Sequence, residues 1–294
     1  MLSSGVPQRG FEMSAPTPDP YRGPRHQGEY DRLHTQHELV KTAMHGKLLY
    51  SPVDLSAPGL RVLDSATAKG TWLIDLAHSV SPTATLIGTD VAPQHFTSEK
   101  QRPSNVHLET HSIFDTWPID FQNSFDVVHQ RFVLTVCSNE AGQDAVQKLL
   151  ACVKPGGWIE LHEGNMLRIK EGPEHTAFMR FRDIMVKAWA AIGNQPSPGH
   201  YLVPWLKEAG AVDIHEEVQT IEVGAEAKDQ DQGERAIAVL LHLLDGMKIM
   251  LGDKPNQPSK AEFDELRVQL DSELRAVGNT YCYHLAWARK RSES

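Results

Sequence analysis

Five short apolar runs, at residues 60–64, 84–88, 106–109, 125–129 and 158–161, end in polar or acidic positions and are separated by polar or helix-period sequence. Apolar runs of this length read as strands covered on both faces. Residues 71–79 and 141–153 carry apolar side chains at three- to four-residue spacing, as helices packed on a sheet do. Pro155-Gly156-Gly157 ends the second of these helices just before the fifth run, because proline removes a helical donor and glycine favours a turn. Strands alternating with helices in this way predict a parallel sheet with right-handed crossovers, helices on both faces, and ligands at the carboxyl ends of the strands.

The flanks differ from this middle. Residues 1–27 are rich in proline and poor in apolar side chains, the composition of a disordered tail. Leu33, His37, Val40, Met44 and Leu48 recur at helical spacing over 29–49, giving an amphipathic helix that serves either as packing or as a lid. After residue 165 the pattern predicts helices over 174–191, 201–208, 233–251 and 260–277, and a strand over 212–223. The aromatic, alternating segment TYCYHLAWA at 280–288 reads as a last strand. The predicted organisation is a tail (1–27), an N-terminal lid helix (28–56) and one α/β domain (57–294) whose helical insertions after about residue 165 form a pocket. Apolar faces on those insertions also leave a homodimer seam open.

Composition narrows the function classes. The 294 residues are 40% hydrophobic and 23% charged, with a formal net charge of -9, so no basic field is available to attract a phosphate backbone and nucleic acid is not the expected partner. No apolar run is long enough to span a membrane, and the N-terminus lacks the basic and apolar regions of a signal peptide, so a cytoplasmic protein is expected. Cys137, Cys152 and Cys282 are odd in number and have no CxxC spacing, which predicts buried thiols and neither disulfides nor a metal site.

The candidate chemistry starts at DSATAKG, residues 64–70, where small residues between a strand and a helix let the backbone approach a ligand. The surrounding VLDSATAKGTWLIDLA (62–77) resembles the first motif of class I S-adenosylmethionine-dependent methyltransferases, in the fungal secondary-metabolism group that includes LaeA and the gliotoxin N-methyltransferase. RLHTQHEL (32–39), GTDV (88–91), FDVVHQR (125–131) and KPGGWIEL (154–161) agree in order and spacing, so the similarity runs from about residue 30 to 163. The resemblance implies a Rossmann-like sheet, mostly parallel with an antiparallel last strand, carrying helices on both faces plus helical insertions. It also implies S-adenosyl-L-methionine as cofactor and a small-molecule acceptor, a fungal secondary metabolite methylated on oxygen, nitrogen or sulfur.

Two positions depart from the family pattern. The loop keeps only Gly70, with Ala66 and Ala68 where glycines are common, and alanine is disfavoured wherever a turn needs a positive φ. Ser112 stands where relatives often place an aspartate against the adenine amino group, although serine still accepts a hydrogen bond.

Asp90, about 20 residues beyond the loop, is placed to accept from ribose hydroxyls, with an N-cap as its structural alternative. Asp64, Ala66, Thr67, Ala68 and Gly70 form the cofactor loop; Val91, Ser112 and Ile113 are expected around the adenine; Gln130 and Arg131 follow the fourth strand near the cofactor's sulfonium end. Lys69 is either an exposed cation or a partner for the cofactor carboxylate. His129, His162 and Glu163 are the candidates for general base or substrate orientation, while Tyr201 and Trp205 either line the acceptor pocket or fill the core. His34 and His37 project from the N-terminal helix, which in relatives helps close over the cofactor. Three rivals stay open: a nicotinamide-dependent reductase, for which GxGxxG is absent, a methyltransferase-like regulator, and a cyclisation catalyst on the same fold.

Overall fold

The computed structural model describes residues 27–292, so nearly all of the segment expected as a tail lies outside the described residues. Five strands, β1 (Arg61–Ser65), β2 (Thr85–Asp90), β3 (Val106–Thr110), β4 (Phe125–Arg131) and β5 (Val153–Asn165), pair in parallel, and β7 (Asn279–Arg289) runs antiparallel between β5 and β6 (Val212–Val223). The sheet order β3-β2-β1-β4-β5-β7-β6 reverses direction of winding at β1, with β4 on its other side. Such a reversal leaves a crevice outside the carboxyl ends of β1 and β4.

Helices cover both faces. α2 (Thr71–Leu76) lays Trp72, Leu73 and Leu76 on Val62 and Val127. On the opposite face α3 (Asn139–Cys152) and α5 (Leu202–Glu208) bury Val146, Leu149, Leu202 and Trp205 against Leu63, Val128, Ile159 and Leu161. A third cluster joins α1 (Gln27–Ala43), α4 (Thr176–Ala191), α6 (Gln230–Leu251) and α7 (Lys260–Ala276) to Tyr281, Tyr283 and Leu285 of β7. Local signals set several helix starts: Ser138 caps α3, Asp229 caps α6, and Ser259 with Glu262 forms a reciprocal capping box on α7.

The alternation expected from the sequence is incomplete. β2 connects to β3 through two 3₁₀ turns, Pro93–His95 and Glu99–Gln101, and β3 to β4 through a third, Ile119–Phe121. Pro93, Pro103 and Pro118 interrupt these short connections, removing donors that an α-helix needs. α1 stops at Ala43, before residue 49, because His45 and Gly46 turn the chain with φ of 55° and 81°. β5 begins at Val153, ahead of Pro-Gly-Gly, which forms an irregularity opposite β4 instead of a loop.

Candidate active site

The loop from Asp64 to Gly70 is tied to the end of β2. Thr67 N donates to Thr89 O (2.8 Å), Ala68 N donates to an Asp90 carboxylate oxygen (3.0 Å), and the Thr67 hydroxyl donates to Asp64 Oδ2 (2.5 Å). Within it Ala66, Ala68 and Gly70 take φ of 55°, 52° and 85°. The two alanines sit in the left-handed region at a cost of about 1 kcal/mol each, held there by these cross-bonds. At Gly70 a side chain is also crowded, since a Cβ would lie 3.0 Å from the Leu108 methyl, which would have to shift.

A cavity of about 210 Å³ opens above the loop. Of the residues expected at the cofactor, Asp64, Ala66, Thr67, Ala68, Asp90, Val91, Ser112, Ile113 and Arg131 line it. Gly70 and Gln130 do not: Gly70 sits behind the loop at the start of α2, and Gln130 is buried on the face of β4 that packs toward α3. Lys69 is also outside, lying 5.7 Å from the Tyr30 ring.

Burial raises the Asp64 pKa to about 6, against the hydrogen bond from Thr67. Its other oxygen is 2.7 Å from Nδ1 of His129, whose ring stacks on Trp72 at 3.8 Å. Burial holds His129 well below the usual histidine range, so it is neutral and donates from Nδ1 to the Asp64 carboxylate. His162 bonds Glu160 at 2.9 Å, and Glu160 accepts from the amides of Tyr50 and Ser51. Both histidines are enclosed and line neither cavity, so the structure does not bring them to a position from which they reach an acceptor.

Arg131 bonds Nδ1 of His37 at 2.7 Å, and His37 bonds Asp75, which also holds Lys41 at 2.6 Å. This chain fastens α1 to α2 and to the end of β4. No carboxylate among the described residues lies within 4 Å of the Arg131 guanidinium, whose pKa burial lowers to about 10. His34 is exposed.

A second cavity, about 1070 Å³, adjoins the first and shares Glu29, Arg32, Leu33, Gln36, Phe132, Thr135 and Val136 with it. Met166, Met185, Trp189, Leu240, Leu243 and Ile249 make much of its wall. Glu163 lines it too. Its Oε1 accepts from Val133 N (2.9 Å) and Leu134 N (2.7 Å), Oε2 meets no partner, and burial raises its pKa to about 8. Tyr201 and Trp205 line neither cavity, and Trp205 lies in the α3–α5 core. Sequence reading missed Phe132, Tyr281 and Tyr283; the phenylalanine directly after HQR and the aromatic alternation of the last strand were the available signals.

The residues around the smaller cavity fit S-adenosylmethionine. Asp90, Val91, Ser112 and Ile113 line it together, and Arg131, which makes no ion pair among the described residues, offers a cation to a carboxylate-bearing ligand. A switch-point crevice of this kind on a seven-stranded sheet with a reversed β7 defines a class I methyltransferase.

Comparison with known proteins agrees. A methyltransferase domain model matches residues 62–157. N-methyltransferase tcpN of Claviceps purpurea is 54% identical over 91% of this chain and 96% of its own length. N-methyltransferases gliN of Aspergillus fumigatus (33% identical, 89% and 93% covered) and sirN of Leptosphaeria maculans (34%, 89% and 92%) are also similar. The chain belongs to this family of fungal S-adenosylmethionine-dependent methyltransferases, and methyl transfer from that cofactor is its activity. The reductase and non-methylating readings therefore fall away. No helix among the described residues is long and apolar enough to cross a membrane.

Proposed function

We propose that the protein methylates a nitrogen of a small, largely apolar secondary metabolite bound in the larger cavity. The observation that carries this reading is the shared wall between the smaller cavity, which carries Asp64, Asp90 and Arg131 and suits the cofactor, and a larger one walled by Met, Leu and Trp side chains that includes Glu163 in its lining. Nitrogen is favoured over oxygen and sulfur because the similar proteins are named N-methyltransferases.

In this reading Asp90 accepts from the ribose hydroxyls, Val91, Ser112 and Ile113 hold the adenine, and the loop of Ala66, Thr67, Ala68 and Gly70 supports the methionine end. Asp64 takes the amino group and Arg131 the carboxylate. His129 orients Asp64, and His162 orients Glu160, which anchors residues 50–51; Gln130 supports β4 from behind. α1 acts as a lid over both cavities, and residues 57–294 form the catalytic domain with its acceptor pocket built after residue 165. The three buried free cysteines suit a reducing, cytoplasmic setting.

The cofactor, when bound, supplies a methyl group on a sulfonium, already an excellent leaving group. The chain's own work is to align the acceptor, exclude water and accept a proton. Glu163, which lines the acceptor cavity with Oε2 buried and unpartnered, is the proton acceptor. It must be a carboxylate to act, so turnover rises as pH climbs through about 8.

Calorimetry with S-adenosylmethionine and S-adenosylhomocysteine tests the cofactor half. Methyl-labelled cofactor incubated with a fungal metabolite extract, followed by mass spectrometry, tests the transfer. Label entering a nitrogen of an apolar metabolite is expected; label only in oxygen or sulfur overturns the nitrogen assignment.

A further inference from the structure

Phe132 has a backbone conformation that its residue type resists. It directly follows β4 with φ of 57°, where a bulky side chain is a rare outlier. Such conformations persist only where surroundings over-determine them, and they concentrate at functional sites. Here the surroundings are on both sides of the residue: Phe132 N donates to His162 O (2.9 Å), the next two amides hold Glu163, and the ring tilts against Tyr283 at 4.5 Å between centroids. Arg131, one residue earlier, lines the smaller cavity.

A methyl group passing from one cavity to the other must cross their common wall. Among the described residues of that wall, Phe132 is the one aromatic; Leu33, Thr135 and Val136 are aliphatic or hydroxylic, and Glu29 is already bonded to Arg32 at 2.6 Å. An aromatic face attracts a positive centre and is indifferent to a neutral one of the same shape.

We infer that the Phe132 ring recognises the positive sulfonium of S-adenosylmethionine, so that the strained turn after β4 distinguishes the methyl-charged cofactor from its neutral product. The inference rests on the assignment of the smaller cavity to the cofactor. In functional terms Phe132 is a positioning and discriminating residue: it favours the charged cofactor at the crossing point and lets the demethylated form leave. The strain follows from this, because only a left-handed residue at 132 keeps the ring on the common wall while residues 133 and 134 turn their amides to Glu163.

The test is calorimetric and needs no acceptor. S-adenosylmethionine and S-adenosylhomocysteine are titrated into wild type, Phe132→Leu and Phe132→Tyr. Phe132→Leu should weaken S-adenosylmethionine by about threefold to thirtyfold, the range of a cation on an aromatic face, while S-adenosylhomocysteine changes less than about twofold. Phe132→Tyr should restore the preference. Equal loss for both ligands, or no loss, overturns the inference, since either makes the ring a plain wall. Wild type that binds neither ligand refutes the cofactor assignment itself, and the inference falls with it. If Phe132→Leu does not fold, Phe132→Gly, which relieves the positive φ, serves in its place with the same expected split between the two ligands.

Discussion

The chamber at the strand ends holds about 210 Å³ and is lined by Asp64, Asp90 and Arg131, whereas its neighbour holds about 1070 Å³ behind methionine, leucine and tryptophan. The first is built by the ends of β1, β2, β3 and β4 and the connections that follow them, and its Asp90 is fixed by hydrogen bonds from the backbone amides of Ala68 and Ala92. The second draws its wall from α4, α6, β7 and the end of β5, with Glu29 and Glu163 as its buried acids. A directional, hydrogen-bonded site suits a ligand that never changes. A wide apolar site walled by α4 and α6 is altered by swapping side chains remote from the loops that follow β1 and β2, so the two halves of the reaction are free to diverge separately.

The largest expected effect separates the halves most sharply. Asp90→Ala should cost about 3 kcal/mol of cofactor binding, roughly two orders of magnitude in Kd, because two charge-assisted bonds are lost. Calorimetry checks this, and undiminished binding would show that Asp90 only ties Ala68 and Ala92 in place.

Glu163→Gln probes the other chamber. A carboxyl raised from 4.5 to about 8 in the folded state binds its proton more tightly than the unfolded chain does, so wild-type stability is greatest at low pH and falls as pH rises through that window. Glutamine has no such slope. Urea melts should therefore show the variant gaining on wild type as pH rises through that window, with methyl transfer lost and cofactor affinity retained. A parallel pH dependence in the two proteins would place the proton elsewhere.

Arg131→Met should weaken S-adenosylmethionine by about 1.5 kcal/mol, but leave a cofactor analogue lacking the carboxylate nearly unaffected. An equal loss for both ligands would mean that Arg131 acts through His37 and α1 instead. The smallest effect concerns the loop. Ala66→Gly and Ala68→Gly should each raise stability by up to about 1 kcal/mol, read as a higher Tm, because glycine adopts φ near 50° without strain.

The chamber at the strand ends was the more legible in sequence because its residues fall in short segments directly after apolar runs. Asp64, Asp90 and Ser112 could be placed from spacing and family resemblance together. What spacing does not give is the face of a strand. His129 and His162 stand near strand ends, as expected, but register pairs His129 with Asp64 and Glu160, and His162 with Arg131, so these side chains meet one another on one face. Glu163, one residue further, lies on the other face and reaches the acceptor cavity. The apolar chamber was less legible for a different reason: a pocket was expected from the insertions after residue 165, but Phe132, Met185, Leu240 and Tyr283 are remote in sequence, and only tertiary packing joins them. The missing crossover helices were foreshadowed by their prolines.

α1 contributes to the walls of both chambers and is pinned through His37 and Lys41 to Asp75 and Arg131. If that helix is the lid, incoming cofactor and departing product share one door. Turnover would then be distributive: an acceptor with two methylatable positions leaves after the first transfer and must return for the second. Quenched time courses on such an acceptor should show the singly methylated species accumulate before the doubly methylated one, and its absence would mean that cofactor exchanges behind a closed helix.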